Sequence, residues 1–276
     1  MRNDISMSDI LFDMVNSILL SEYKDLFVYR GAFALSNLLR QEKLGELAKS
    51  TTDVDVIFRR EDRGVWRKFY SECSRVLTEN SKLRLKYVND PEKDHGKGHS
   101  WKHGYVLFDV YVPERTKSFK TRIDFKEDKP FIGLQLVVPE LLGSPFAVAY
   151  EKMLIDKACN MQWDTVLQRY KDIYDVYCLS FIKDYKMDIV IDTWANTKDK
   201  KKFMPTVDTV IFFTNCENLI ELEKYFEIYT DELELEFPIS FTTFYARVSE
   251  FVTPIYATCM GCGKFSIWNS KGGFWE

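Results

Sequence analysis

The chain has 276 residues, of which 46% are hydrophobic and 29% charged, with a formal net charge of −4. That describes a globular protein large enough for one big core or two modest ones, and two are expected. No apolar run reaches about eighteen residues, which excludes an ordinary membrane-spanning helix and any membrane partner that needs one.

The charge is unevenly spread. Residues 59–122 carry 16 Lys and Arg against 9 Asp and Glu, whereas residues 203–276 carry 4 against 11. A basic flank of that kind suits a polyanionic substrate. The first residues lack the basic-then-apolar order of a secretion signal, so the expected location is the cytoplasm.

Residues 9–20 have apolar side chains at helical spacing, with Ser6 or Ser8 placed to cap them. Leu26–Tyr29 predicts a short buried strand ending at Gly31. Ala32 to Arg40 predicts a helix with Leu35, Leu38 and Leu39 on its inner face.

The next segment, Thr51-Thr52-Asp53-Val54-Asp55-Val56-Ile57, reads as a strand. Residues at i and i+2 of a strand share a face, so Asp53 and Asp55 belong to one side of it. Paired carboxylates repel unless a cation lies between them, and hard oxygen ligands suit Mg²⁺. Such pairs anchor phosphoryl and nucleotidyl transfer by two metals roughly 4 Å apart.

Residues 67–79 read as an amphipathic helix and 82–88 as extended chain. The polar loop from Pro91 to His103 contains all three histidines, His95, His99 and His103. Gly96 and Gly98 oppose a helix there, so the spacing of four predicts a basic loop rather than a metal stripe. Tyr105–Val112 and Phe119–Phe125 alternate like the arms of a hairpin. Asp109 and Asp124 each stand between large apolar residues on these arms, and either could be a third carboxylate.

From Pro145 the pattern turns to long helices over 145–160, 164–184, 217–229 and near 241–252. The expected organisation is therefore a mixed α/β core over 1–140 and a mostly helical domain over 141–276. Lys152 suits a phosphate as a point charge. Asp172 and Asp175 are i, i+3 neighbours on one helical face, as in a site or in a surface helix laced with ion pairs. Lys198–Lys202 reads as a solvated loop. Cys259 and Cys262 form a lone CxxC, weak as a zinc or redox signal. The aromatic tail (Phe265, Trp268, Phe274, Trp275) reads as packing, and Gly272-Gly273 predicts a frayed end.

Taken together, these segments resemble the AbiEii/AbiGii nucleotidyltransferase toxins, a family within the DNA polymerase β-like superfamily. The family's Lys-Gly-Gly-Thr-Ala-Leu falls on Arg30-Gly31-Ala32-Phe33-Ala34-Leu35, and its Arg-x-Ser-x-Asp-x-Asp on Lys49 to Asp55. Its third acid matches Asp124, its lysine Lys152, and its Lys-Asp-x-Tyr-Asp helix Lys171 to Asp175. The resemblance implies a polymerase β-like α/β (α+β) fold, a mixed sheet with flanking helices, followed by a helical C-terminal domain. It implies that Asp53, Asp55 and Asp124 bind two Mg²⁺ ions. Arg30, Gly31, Ser36, Thr51, Lys152 and Asp172 would then hold an NTP. Ala32 and Phe33 depart from the family, which has a second glycine and a hydroxyl there.

The expected activity is transfer of a nucleoside monophosphate from an NTP to an acceptor, preferably RNA and tRNA in particular. The resemblance implies a toxin of a toxin–antitoxin or phage-defence pair, with an antitoxin protein as partner. Two other readings stand beside it: transfer to a small molecule such as an aminoglycoside, and a silent relative that binds a nucleotide or partner without turnover. Oligomeric state is not legible.

Overall fold

The computed structural model describes residues 27–49, 51, 53–58, 84–88, 103–111, 119–127, 135–137, 146–161, 170–196, 205–211, 216–233 and 239–276. The helices expected over 9–20 and 67–79, the loop carrying His95 and His99, and the Lys198–Lys202 run lie outside these residues.

Strand β1 (Phe27–Arg30) passes directly into helix α1 (Gly31–Gln41). Leu35, Leu38 and Leu39 are all buried, as their spacing predicts. A 3₁₀ turn (Gly45–Leu47) leads on toward strand β2 (Asp53–Phe58). Strands β3 (Arg84–Val88), β4 (His103–Tyr111), β5 (Phe119–Glu127), β6 (Gln135–Val137) and β7 (Phe146–Val148) follow. The seven strands form one sheet in the order β3-β4-β5-β2-β1-β7-β6. The predicted hairpin is present, β4 and β5 being antiparallel neighbours. β2 runs parallel to β5 and antiparallel to β1, so the sheet is mixed.

Residues 146–148, expected to open a helix, instead form β7, parallel to β1 with Tyr29 opposite Ala147. Ala147 and Val148 are buried there. A short apolar run fits a buried strand or a helix equally well by periodicity, and the sheet's need for a partner beside β1 decides it.

After β7 the chain is mainly helical: α2 (Tyr150–Asn160), α3 (Tyr170–Ile182), α4 (Met187–Ala195), α5 (Val207–Ile211), α6 (Cys216–Leu233) and α7 (Phe241–Cys259). The protein is thus a mixed α+β fold. It divides into two compact units. The first contains β1 to β7 and the start of α1. The second contains residues 38–49 and everything from Ala149 onward.

In the second unit α3 is buried almost all round, Tyr170 and residues 172–180 included, which marks a central helix. Among its described residues α6 buries Leu222, Phe226 and Tyr229, spaced i, i+4, i+7 on one face. The Ser240 hydroxyl caps α7 by accepting from the Thr243 amide at 3.2 Å. α7 runs past its expected end near 252 and through Pro254. Burial of Ile255 and Tyr256 beyond the proline, and the Tyr256 hydroxyl's 2.9 Å bond to the Ala158 carbonyl, favour its continuation.

The tail is ordered, contrary to the frayed end that Gly272-Gly273 predicted. Strands β8 (Tyr185–Lys186), β9 (Ile267–Asn269) and β10 (Phe274–Trp275) form a three-stranded antiparallel sheet. Gly273, at φ +79°, supplies the left-handed residue that the β9–β10 turn requires. Trp268 is fully buried, its indole N–H donates to the Ser180 carbonyl at 2.8 Å, and the Arg247 guanidinium lies 4.9 Å from its ring. Replacing Trp268 with Ala should cost about 3–5 kcal/mol, read as a lower urea midpoint by far-UV circular dichroism; a midpoint unchanged from wild type would mean that this sheet does not stabilise the helical unit.

Candidate functional site: a carboxylate row and a buried charge quartet

In the first unit the strand register decides which acids become neighbours. Arg30 on β1 pairs with Asp55 on β2, and Asp55 pairs with Asp124 on β5. Arg30, Asp55 and Asp124 therefore occupy one row across three adjacent strands. Asp53, two residues before Asp55, pairs with Arg122. Asp109, the other candidate for a third acid, pairs with Lys120, away from β2. Across β5 from Asp124 is Tyr105.

At the end of β1 the chain leaves the sheet through Gly31, at φ +69°. A side chain is disfavoured there twice over. The left-handed backbone strains any L-residue. A Cβ would also overlap the Asp55 carboxylate, 3.1 Å from its Cγ and closer still to Oδ2. Gly31 thus lets the start of α1 lie directly against the Asp55 side chain. Helix starts also present unpaired N–H groups, a favourable setting for an anion.

Phe33, the bulky departure from the family pattern, is buried, with its ring centroid 5.8 Å from that of Tyr29. Its bulk goes into the core. Ser36 is buried and Thr51 half-buried. The Arg30 Nε is buried with no hydrogen-bond partner among the described residues. A cationic donor therefore stands at the end of the carboxylate row.

The second unit holds Lys152 and Asp172. Lys152 is paired with Asp156 one turn along α2. Asp172 accepts from Lys157 at 2.8 Å and from the Asn160 amide at 3.3 Å. Lys157 also reaches Asp175 Oδ2, at 2.6 Å, and Lys49 pairs with Asp175 Oδ1. Lys49 donates further to the Lys171 carbonyl and the Tyr229 hydroxyl, at 3.3 and 3.4 Å. Its ammonium lies 5.8 Å from the centre of the Tyr174 ring.

Lys49, Asp175, Lys157 and Asp172 thus form an alternating quartet of two cations and two anions. Lys49, Asp172 and Asp175 are each less than a tenth exposed. The surface-helix alternative for Asp172 and Asp175 fails, since both face the interior. Burial opposes ionisation of Asp175, yet Lys49 and Lys157 together hold its carboxyl below the ordinary carboxylate value. Burial likewise disfavours charge on Lys157, and Asp175 and Asp172 overcome it, holding its ammonium above the ordinary lysine value.

Sequence reasoning singled out Asp172 and Asp175 but not their partners. Lys157 had a local signal: it is the basic residue in the last turn of a helix that buries most of its other positions. Lys49 matched the first position of the family's Arg-x-Ser-x-Asp-x-Asp motif, but nothing near it signalled its burial, because its partner Asp175 is 126 residues away. Cys259 is half-buried and Cys262 exposed, and burial pushes the Cys259 thiol up to about 12.

No protein-family profile matches the chain, and no curated protein sequence matches it. Solved structures do. The crystal structure of JHP933 from Helicobacter pylori matches 92% of this chain and 92% of its own, with a TM-score of 0.54 at 10% identity. A candidate nucleotidyltransferase from H. pylori matches 92% of this chain and 95% of its own, with a TM-score of 0.56 at 10% identity. The chain shares their fold. The likeness runs through both units rather than stopping at the sheet.

Two outcomes follow from this geometry. Gly31→Ala should cost about 1–2 kcal/mol for the left-handed backbone alone, measured by chemical denaturation; a variant as stable as wild type would contradict the close approach to Asp55. The quartet should also set a pH window. Asp175 titrates lower when folded, so its contribution is present above the ordinary carboxylate value of about 3.9 and is lost as pH falls through the folded value. Lys157 titrates higher when folded, so its contribution is present below about 10.4 and is lost as pH rises through the folded value. Asp175→Asn should flatten the acid limb of the stability–pH curve, and an unchanged acid limb would remove Asp175 from that role.

Proposed function

We propose that the protein is a nucleotidyltransferase that moves a nucleoside monophosphate from an NTP to an acceptor and releases pyrophosphate. The observation that carries this reading is the register that sets Asp124 beside Asp55, with Asp53 two residues away and Gly31 closing on the Asp55 carboxylate. The fold shared with a candidate nucleotidyltransferase of H. pylori supports it. So does the order of motifs that resembles the AbiEii/AbiGii toxins.

The donor set fits Mg²⁺. Three acid positions on two neighbouring strands would supply hard oxygen ligands on a rigid frame, and the missing Cβ at Gly31 lets the Asp55 carboxylate keep its place beside the start of α1. Asp53, Asp55 and Asp124 would hold two ions, which when bound neutralise triphosphate charge and lower the pKa of the attacking hydroxyl. The residues of the chain do the rest by position. Arg30 brings a buried guanidinium donor to the row's end, and a planar fork suits phosphate oxygens. The start of α1 offers backbone N–H groups beside Asp55. Gly31 lets the backbone at the start of α1 lie against the Asp55 carboxylate. Phe33, being packed against Tyr29, does not block that approach.

RNA, and tRNA in particular, is the favoured acceptor, on the strength of the basic balance over residues 59–122. A cationic drug would need an acidic groove instead. In the setting that the resemblance implies, the protein is the toxin of a toxin–antitoxin or phage-defence pair, restrained by an antitoxin.

The test is incubation of the protein with each α-³²P-labelled NTP, Mg²⁺ and total RNA. Wild type should transfer label to RNA, and Asp55→Asn should reduce the rate by about a hundredfold or more, as loss of a charge-stabilising group does elsewhere. Label on an added aminoglycoside instead would keep the chemistry and change the acceptor. NTP binding without label on RNA, drug or the protein itself would sink the transferase reading and favour the silent relative.

A further inference from the structure

The carboxylate row continues past Asp124 onto β4, within the same sheet. Alternate residues of a strand share a face, so Lys120, Arg122, Asp124 and Lys126 belong to one face of β5, and Phe119, Thr121, Ile123 and Phe125 to the other. The first set is wholly charged and the second mostly apolar, the pattern expected of a sheet that packs one face and leaves the other polar. Register carries the charged face across to β4. Tyr105 is opposite Asp124, His103 opposite Lys126, and Leu107 opposite Arg122.

The three cations on that face are not equivalent. Lys120 is opposite Asp109 and Arg122 opposite Asp53, so each has an acid at the cross-strand position where opposite charges pair. Lys126 differs, because its cross-strand positions are Ile57 on β2 and His103 on β4, and neither is an acid. It stands two residues from Asp124, about 6.6 Å along the strand, while Tyr105 is one strand away, about 4.8 Å. An aromatic residue and a lysine with no acid opposite thus adjoin the third acid, on the side away from Arg30 and the start of α1. The two ends of the row suit different groups. Arg30 and the helix start suit a triphosphate, which leaves the β4 end for the acceptor. A base stacks on an aromatic ring whatever its identity, and a lysine meets a phosphate as a point charge.

We propose that Tyr105 and Lys126 form the acceptor subsite for the 3′ end of a single-stranded RNA: Tyr105 stacks on the terminal base, and Lys126 meets the phosphate before it. This subsite rests on the nucleotidyl-transfer reading of Asp55 and Asp124. In that transfer the terminal 3′ oxygen bonds to the α-phosphorus of the NTP and the bond from that phosphorus to the β-phosphate oxygen breaks. Pyrophosphate leaves, and the hydroxyl proton passes to water.

The test compares wild type with Tyr105→Leu, Tyr105→Phe and Lys126→Gln, all as the full chain and each checked for folding by its thermal midpoint. The probe is a 5′-fluorescein-labelled single-stranded oligoribonucleotide. Fluorescence anisotropy without NTP reads RNA binding, and transfer from an α-³²P-labelled NTP reads KM for the RNA and for the NTP separately. Tyr105→Leu should weaken RNA binding and raise the RNA KM about tenfold, the scale of one lost stacking contact, with the NTP KM unmoved. Tyr105→Phe, which keeps the ring, should restore most of that loss. Lys126→Gln should make the slope of log affinity against log salt shallower by about 0.7, one phosphate contact on a single strand. If Tyr105→Leu does not fold, Lys126→Gln still carries the salt slope.

Folded variants with wild-type RNA affinity, salt slope and RNA KM would overturn the subsite. So would a wild type that labels an aminoglycoside or a protein and neither binds nor labels RNA. RNA binding that weakens in Tyr105→Leu and Lys126→Gln, from a wild type that transfers no label, would keep the RNA subsite and sink the transferase reading alone.

Discussion

The parallel pairing of β2 with β5 is the constraint on which the proposed chemistry depends. Without it, Asp55 and Asp124 are acids 69 residues apart in sequence; with it they occupy opposing positions on neighbouring strands. Like charges at opposing positions repel, and under the proposed function bound cations would offset that repulsion. β1 completes the frame from the other side. It ends at Arg30, opposite Asp55, and turns into α1 through a glycine whose missing Cβ lets backbone and carboxylate meet. One register thus positions acid, cation and helix start together.

The helical unit solves a different electrostatic problem. Four charged side chains, three of them buried and Lys157 half-buried, meet around α3 in strict alternation of sign, so each carboxylate has an ammonium and each ammonium a carboxylate. Losing one member leaves an uncompensated buried charge, at a cost of about 3–5 kcal/mol. Aromatic rings pack around this centre: Tyr174 beneath Lys49, then Tyr229 and Phe244 beside Tyr174. The low polarity of that surround strengthens the attraction and raises the penalty for a missing partner.

Much of the sheet was legible because its signals are local. Asp53 and Asp55 alternate with Val54 and Val56, Gly31 punctuates a strand–helix junction, and the β4–β5 arms alternate on either side of a turn. Which acid stands beside Asp55 was not legible from pattern alone, since Asp109 and Asp124 have the same neighbours in kind. Register decided it, and register is a property of the assembled sheet. Residues 146–148 were misread because three apolar residues carry no period. The frayed tail was misread because Gly272-Gly273 signals a turn as readily as a loose end, and the burial of Trp268 favours the turn. Lys49 was matched to a motif, but its burial came from Asp175 and Tyr229, far along the chain, and no window of sequence contains both.

The charge quartet also bears on how this sequence can change over time. Because its four members sum to zero inside a dry core, substitution of any one passes through a state with an odd charge in the interior. Reversal of a pair, or replacement of a pair by apolar residues, avoids that state only when both changes arrive together. Lys49, Lys157, Asp172 and Asp175 should therefore drift as a linked block among descendants of this chain, with correlated changes between positions as remote as 49 and 175, while the exposed acids of α6 change one at a time.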